Sequence, residues 1–173
     1  MKLVFMGRRA ALAVITAVLI AGMAAIGYLL SGSIGGIAGA EQATDAHRLA
    51  IVTASGARHN FRIEIAADDD KRAEGLMYRA KLDPDYGMLF DFKREQTVYF
   101  WMKNTYVSLD MIFVRADGTI AKIAENTTPL SEATVPSEFP VRFVFEVMAG
   151  TTKRLGVKAG DKLVHPLIKP TAG

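Results

Sequence analysis

From Arg48 onward the chain is punctuated by turn signals at short intervals: Ala54-Ser55-Gly56, Asp83-Pro84-Asp85, Ala116-Asp117-Gly118 and Gly160-Asp161. Between them lie apolar runs of strand length. A chain broken this often has no room for long helices, so it must build its core from short strands and hairpins. Within the runs the side chains alternate. Phe61, Ile63 and Ile65 oppose Arg62 and Glu64, and Val141, Phe143, Phe145 and Val147 share one face, the period-two pattern of strands with a buried side. One helix is predicted to open at Asp68-Asp69-Asp70, where acids complement the positive end of the helix dipole, and to turn Ala73, Leu76, Met77 and Ala80 inward. Gly75 inside it signals close backbone packing or an early end. A second short helix is expected from Met148 to Leu155, stopping at Gly156. The expected fold is mainly β within the α+β class: a compact, barrel-like, curled antiparallel or mixed sheet with one or two short helices, following an N-terminal apolar helix.

That apolar segment has its own logic. Lys2, Arg8 and Arg9 precede an apolar run over 10–30, and Ala38-Gly39-Ala40 follows as an A-x-A cleavage signal. This is the order of an export signal, although the run nearly reaches the roughly 20 residues that cross a bilayer. Residues 1–40 are therefore expected to be a signal peptide or a membrane anchor, 41–47 a linker, and 48–173 a single β-rich domain. The basic end stays cytoplasmic in either case, which places the domain outside the cytoplasm, in the periplasm or another extracytoplasmic space, held by 10–30 if the leader is kept. Contact with the membrane is expected only through this segment.

Charge and composition exclude several function classes. The formal net charge is +3, from 21 basic and 18 acidic residues. Subtracting the three basic residues of the leader leaves 21 − 3 = 18 basic against all 18 acidic ones after Ala40. No basic excess remains to displace counterions, so nucleic acid is not an expected partner. With no cysteine there is no disulfide, thiolate metal site or cysteine nucleophile. His47, His59 and His165 lack the spacing of metal ligands, and no metal or cofactor is expected.

The residues that could carry chemistry centre on FWMKNTYVSLDMIF, residues 100–113. Asp110 stands in an apolar strand, sharing a face with Ile112 and Val114. A carboxylate there must recruit donors or protonate. Lys103, Asn104 and Thr105 are the candidate donors across a short connection, and Arg79 is another because a guanidinium grips a carboxylate through two parallel bonds. Glu146 repeats the pattern: it alternates with Arg142 and Val144, and either pairs with Arg142 at the surface or joins Asp110 in a pocket. Trp101, the sole tryptophan, falls on one strand face with Tyr99 and Lys103 and offers a platform for a sugar or other apolar surface. The scattered methionines read as core filling rather than copper ligands.

The blocks AEGLMYR (73–79), GMLFDF (87–92), FWMKNTYVSLDMIFV (100–114), DGTI (117–120) and FEVMAGTTKRLGVKAGD (145–161) together resemble the exported domain-of-unknown-function 192 family. The resemblance implies an N-terminal signal or anchor and no established activity or cofactor. The family's polar positions match Arg79, Lys103, Asn104, Thr105, Asp110 and Glu146, and its glycines match Gly75, Gly87, Gly118, Gly150 and Gly156. Where the family often has proline before the acid, this chain has Val107-Ser108. The expected function is an envelope domain binding a small polar ligand or envelope component in a pocket lined by Arg79, Trp101, Asn104 and Asp110, with Lys103, Thr105 and Glu146 nearby. Binding is favoured over catalysis. The alternatives are an envelope hydrolase using Asp110 and Glu146 as a carboxylate pair, and a structural or protein-interaction domain.

Overall fold

The computed structural model describes residues 46–169. The apolar leader, its cleavage or anchoring region and nearly all of the linker lie outside these residues. The chain divides into two units, 1–43 and 44–173, and the fold below is that of the second. Its strands are β1 (Arg48–Val52), β2 (Arg58–Ala66), β3 (Tyr86–Gln96), β4 (Tyr99–Phe100), β5 (Leu109–Val114), β6 (Ile120–Ala124), β7 (Val135–Pro136), β8 (Val141–Met148) and β9 (Lys162–Val164). Two short helices join them, α1 (Asp69–Glu74) and α2 (Thr151–Leu155).

Seven strands form one sheet in the order β6-β5-β8-β3-β2-β1-β9, and β4 pairs with β7 in a separate two-stranded ribbon. The sheet is mixed. β2 and β3 run parallel, because α1 and the loop after it carry the chain across, and every other pairing is antiparallel. The sheet curls into a half-barrel whose edges meet at one end, where Leu163 donates its N–H to Gly118 and Ile120 donates to Asp161 at 2.8 and 2.9 Å. The expected mainly β, curled, barrel-like fold is the one observed.

Alternation on the strands sorts the apolar side chains into two layers. Ile51, Phe61, Ile63, Leu89, Ile112 and Phe145 fill the concave side. Met88, Phe90, Met111, Phe113 and Val144 line the other face. That second face is not left to water. Leu76 and Leu82 from the segment after α1, and Val98 and Met102 flanking β4, pack down on it. Each such buried side chain contributes about 1.5–3 kcal/mol of transfer free energy, so both faces help to hold the sheet.

Two glycines set how closely the layers approach. At Gly87 an added Cβ would lie 2.4 Å from the Glu146 carbonyl oxygen and 2.5 Å from the Phe145 ring, so only glycine lets β3 run this close to β8. Gly75 ends α1 with φ 53°, a left-handed conformation that favours glycine, and a Cβ there would press on Phe90 at 3.2 Å. The helix stops at Glu74 rather than reaching Ala80 as the apolar spacing predicts. Leu76 and Met77 still cover the sheet, but from a turn instead of a helical stripe.

Candidate functional site

Asp110 is completely buried, on the concave side with Ile112 and Val114 as its strand position predicts. Its partners differ from those expected. One oxygen accepts the backbone N–H groups of Asn126 (3.0 Å) and Gly150 (3.2 Å); the other accepts the N–H (2.9 Å) and hydroxyl (2.7 Å) of Thr152. Gly150 precedes α2 and has no side chain to cap it, so Asp110 reaches from β5 to satisfy the first turn. Lys103, Asn104, Thr105 and Arg79 do not bond to it. The reason is the alternation itself: the loop that carries Lys103, Asn104 and Thr105 belongs to the layer on the opposite face.

Those residues organise a different region. Asn104, with φ 54°, accepts the Tyr78 N–H on its carbonyl (2.8 Å) and donates its amide to the Tyr78 hydroxyl (2.9 Å). It thereby ties the loop after β4 to the turn after α1. The Lys103 ammonium sits 5.1 Å from the Trp101 ring centre and 3.8 Å from Glu132. The Thr105 hydroxyl donates to the Lys103 carbonyl at 3.2 Å. Arg79 grips both oxygens of Glu64 (3.0 and 2.9 Å), and the Tyr86 hydroxyl bonds to the same carboxylate. The Arg79 hydrogen bonds hold Glu64 below the usual carboxylate range.

Glu146 is another buried acid of this sheet region. On β8 it lies opposite Met88 of β3 and Met111 of β5. It is 4% exposed, makes no hydrogen bond or ion pair to any described residue, and burial alone pushes its carboxyl up to about 8. It does not pair with Arg142, which instead binds the buried carboxylate of Asp91 at 3.1 Å. Glu146 opens onto a small pocket of about 30 Å³, walled by Phe90, Phe100 and Trp101, by Thr105, and by the end of α1 and the turn after it, from Arg72 to Met77. Trp101 is 46% exposed at this pocket, and Tyr78 and Tyr106 are exposed aromatics that meet edge to face at 6.4 Å.

Of the seven residues expected to form a site, the structure gathers Trp101, Thr105 and Glu146. Arg79 lines a neighbouring cleft with Glu64 and Met88, Lys103 and Asn104 brace the loop, and Asp110 lies on the other side of the sheet. The carboxylate-pair reading is corrected accordingly. Asp110 is level with Val147 and Glu146 with Met111, so the two acids occupy opposite faces and share no cleft. The expected pocket of Arg79, Trp101, Asn104 and Asp110 is likewise not formed. Sequence reasoning missed Phe90, Phe100 and the Gly75–Met77 turn as pocket walls. The signal for them was the alternation that puts Phe90 on the Met88 face, together with the glycine in AEGLMYR. Among the described residues no group of three or more His, Asp or Glu side chains could hold a metal ion, and no helix is long and apolar enough to cross a membrane.

Residues 50–165 match the family model DUF192, described as "Uncharacterized ACR". Among solved structures, a Sinorhizobium meliloti protein described as a candidate transcription regulator is 51% identical, with 69% of this chain and 93% of that one covered and a TM-score of 0.69. A protein of unknown function from Novosphingobium aromaticivorans is 38% identical, with 68% and 83% covered and a TM-score of 0.65. No curated protein matches the chain.

Proposed function

This chain belongs to the DUF192 family of uncharacterised proteins, and on that premise we propose that its domain binds a small polar ligand, with Glu146 at the floor of the site. The observation that carries the proposal is the carboxyl itself: nearly sealed, unpartnered and facing a pocket rather than packed protein. Burying an ionisable group without a partner costs several kcal/mol, and a leucine or methionine would fill the place at no such cost. Perturbed acids of this kind concentrate where a ligand completes the bonding. Trp101 and Thr105 supply the remaining contacts at the pocket wall.

The description of the S. meliloti protein brings a second reading, DNA binding. It is disfavoured for this chain, because 18 basic residues balance 18 acidic ones after Ala40 and phosphate contacts need a cationic excess. We also place the domain outside the cytoplasm, on the charge order of its leader. A fusion of residues 1–60 to a reporter that is active only after export should give signal, and a silent fusion would refute the placement.

A thermal-shift screen of small polar compounds against the full chain tests ligand binding. At a hundred times its dissociation constant, a ligand adds about 2.7 kcal/mol, or roughly 10 °C in Tm for a domain of this size. The shift should vanish in Glu146→Gln and shrink in Trp101→Ala. Hits that raise both variants as much as the parent would place binding elsewhere.

A further inference from the structure

We propose, resting on the ligand-binding reading of the same pocket, that the group it takes is a primary alkylammonium head, bonded to the Glu146 carboxylate and ringed by Phe90, Phe100 and Trp101.

The donor and acceptor inventory points this way. Thr105 lines the pocket and its hydroxyl spends its proton on the Lys103 carbonyl, which leaves that oxygen only accepting capacity for a ligand. The Glu146 carboxylate, once ionised, is also acceptor only. A site built of acceptors and aromatic walls suits a group with several donors and no lone pair, which describes an ammonium. A hydroxyl head would donate once and leave the remaining acceptor capacity unmet. Size agrees, since about 30 Å³ exceeds the roughly 10–15 Å³ that a single water requires and stays far below the few hundred Å³ of a site that encloses a whole ligand. A small head group enters, and its alkyl tail stays outside.

The surrounding charges also agree. From the sheet, Glu146 is flanked by Met88 on β3 and Met111 on β5, both neutral. From α1, the pocket is lined by Arg72 and Glu74. The Arg72 guanidinium is already committed to the Asp91 carbonyl at 3.0 Å and to the Asp69 carboxylate, and it lies over the Phe92 ring. Glu74 is exposed and adds negative charge at the pocket wall. From the loop after β4, the Lys103 ammonium is held over Trp101 and near Glu132. No cation among the described residues bonds to Glu146, so an ammonium head would meet no competing partner for the carboxylate there.

Ammonium binding must ionise the acid and expel its proton. Because burial raises the free carboxyl to about 8, affinity should climb roughly tenfold from pH 6 to pH 7 and roughly fivefold more to pH 8, where the acid is half ionised. Trp101 is the sole tryptophan and reports the pocket directly. The full chain is titrated with methylammonium and ethanolamine, and with methanol and ethylene glycol as neutral counterparts, at pH 6, 7 and 8. Amine-dependent changes in tryptophan emission that strengthen with pH, and that fall at least tenfold in folded Glu146→Gln, support the proposal. The pH series on the parent protein decides the matter if that variant does not fold. Binding of the alcohols in preference to the amines overturns the ammonium assignment and leaves the pocket intact. If no probe moves Trp101 emission at any pH, both readings fall together.

Discussion

Asp110→Ala is expected to lower the unfolding free energy by about 4 kcal/mol, among the largest losses available to a single substitution in this domain. The carboxylate accepts four hydrogen bonds from three residues in two places distant along the chain, Asn126 on one side and Gly150 with Thr152 on the other. All four donors lose their partner at once, on the concave side where Asp110 itself is 0% exposed. Each orphaned buried donor costs about 1–3 kcal/mol, less what relaxation recovers. The loss also uncaps α2, whose own N-cap residue is a glycine with nothing to offer. Asp110→Asn keeps one acceptor oxygen but sets an amide NH₂ against the other donors, so about half the loss is expected. Urea unfolding measures both, and amide exchange at Thr152 and Gly150 reports the local opening. A cost below about 1 kcal/mol for the alanine variant, with exchange at Thr152 unchanged, would contradict the structural role. A ligand-binding Asp110 would show the reverse: stability kept in Asp110→Asn and binding lost.

The same residue marks how far the sequence could be read. That Asp110 lies inside the fold follows from its place between Leu109 and Met111 on an apolar strand, and its face from simple alternation with Ile112 and Val114. Its partners could not be read this way. They are mostly backbone amides, which every residue carries, and three of the four bonds come from a helix start some forty residues downstream that only the tertiary fold brings near. The nearby polar triplet Lys103-Asn104-Thr105 drew attention because side chains are visible in a sequence and amides are not.

Glu146 was legible in one respect and hidden in another. Alternation on β8 separates it from Phe145 and Val147, and it does lie on the face of Val144. On a single-layered sheet that face meets water, which makes pairing with Arg142 the natural expectation. Here the turn after α1 and the loop after β4 form a second layer over it. The layer depends on Gly75 ending the helix early and on Asn104 clasping Tyr78. Neither depends on any period in the apolar residues, so strands and faces were accessible while the roof over Glu146 was not.

The roof has a consequence for stability. As pH rises from 5 to 9 the domain is expected to lose on the order of 4 kcal/mol, and Glu146→Gln to lose almost none of it. Burial raises the folded carboxyl from 4.5 to about 8 with no compensating donor. Between those values the folded chain holds a proton that the unfolded chain has released, so stability falls with rising pH. The contribution is complete below pH 4.5 and gone once the folded group ionises above about 8. Each pKa unit is worth 1.36 kcal/mol, and the gap is about 3.5 units. Other carboxylates act in a separate window. Asp117 is held at about 2 by the Thr119 N–H, and the Arg79 hydrogen bonds lower Glu64, so their contributions are lost only as pH falls below the ordinary carboxylate range. The parent protein should therefore be most stable near pH 5, with Tm dropping by roughly 10–20 °C toward pH 9. Glu146→Gln, which keeps the shape and removes the titration, should be flat over that interval and overtake the parent above pH 7. Equal and flat Tm curves for both proteins from pH 5 to 9 would mean that the folded chain does not hold the Glu146 proton at neutral pH, and the buried, unpartnered carboxyl on which the ligand-binding proposal stands would go with it.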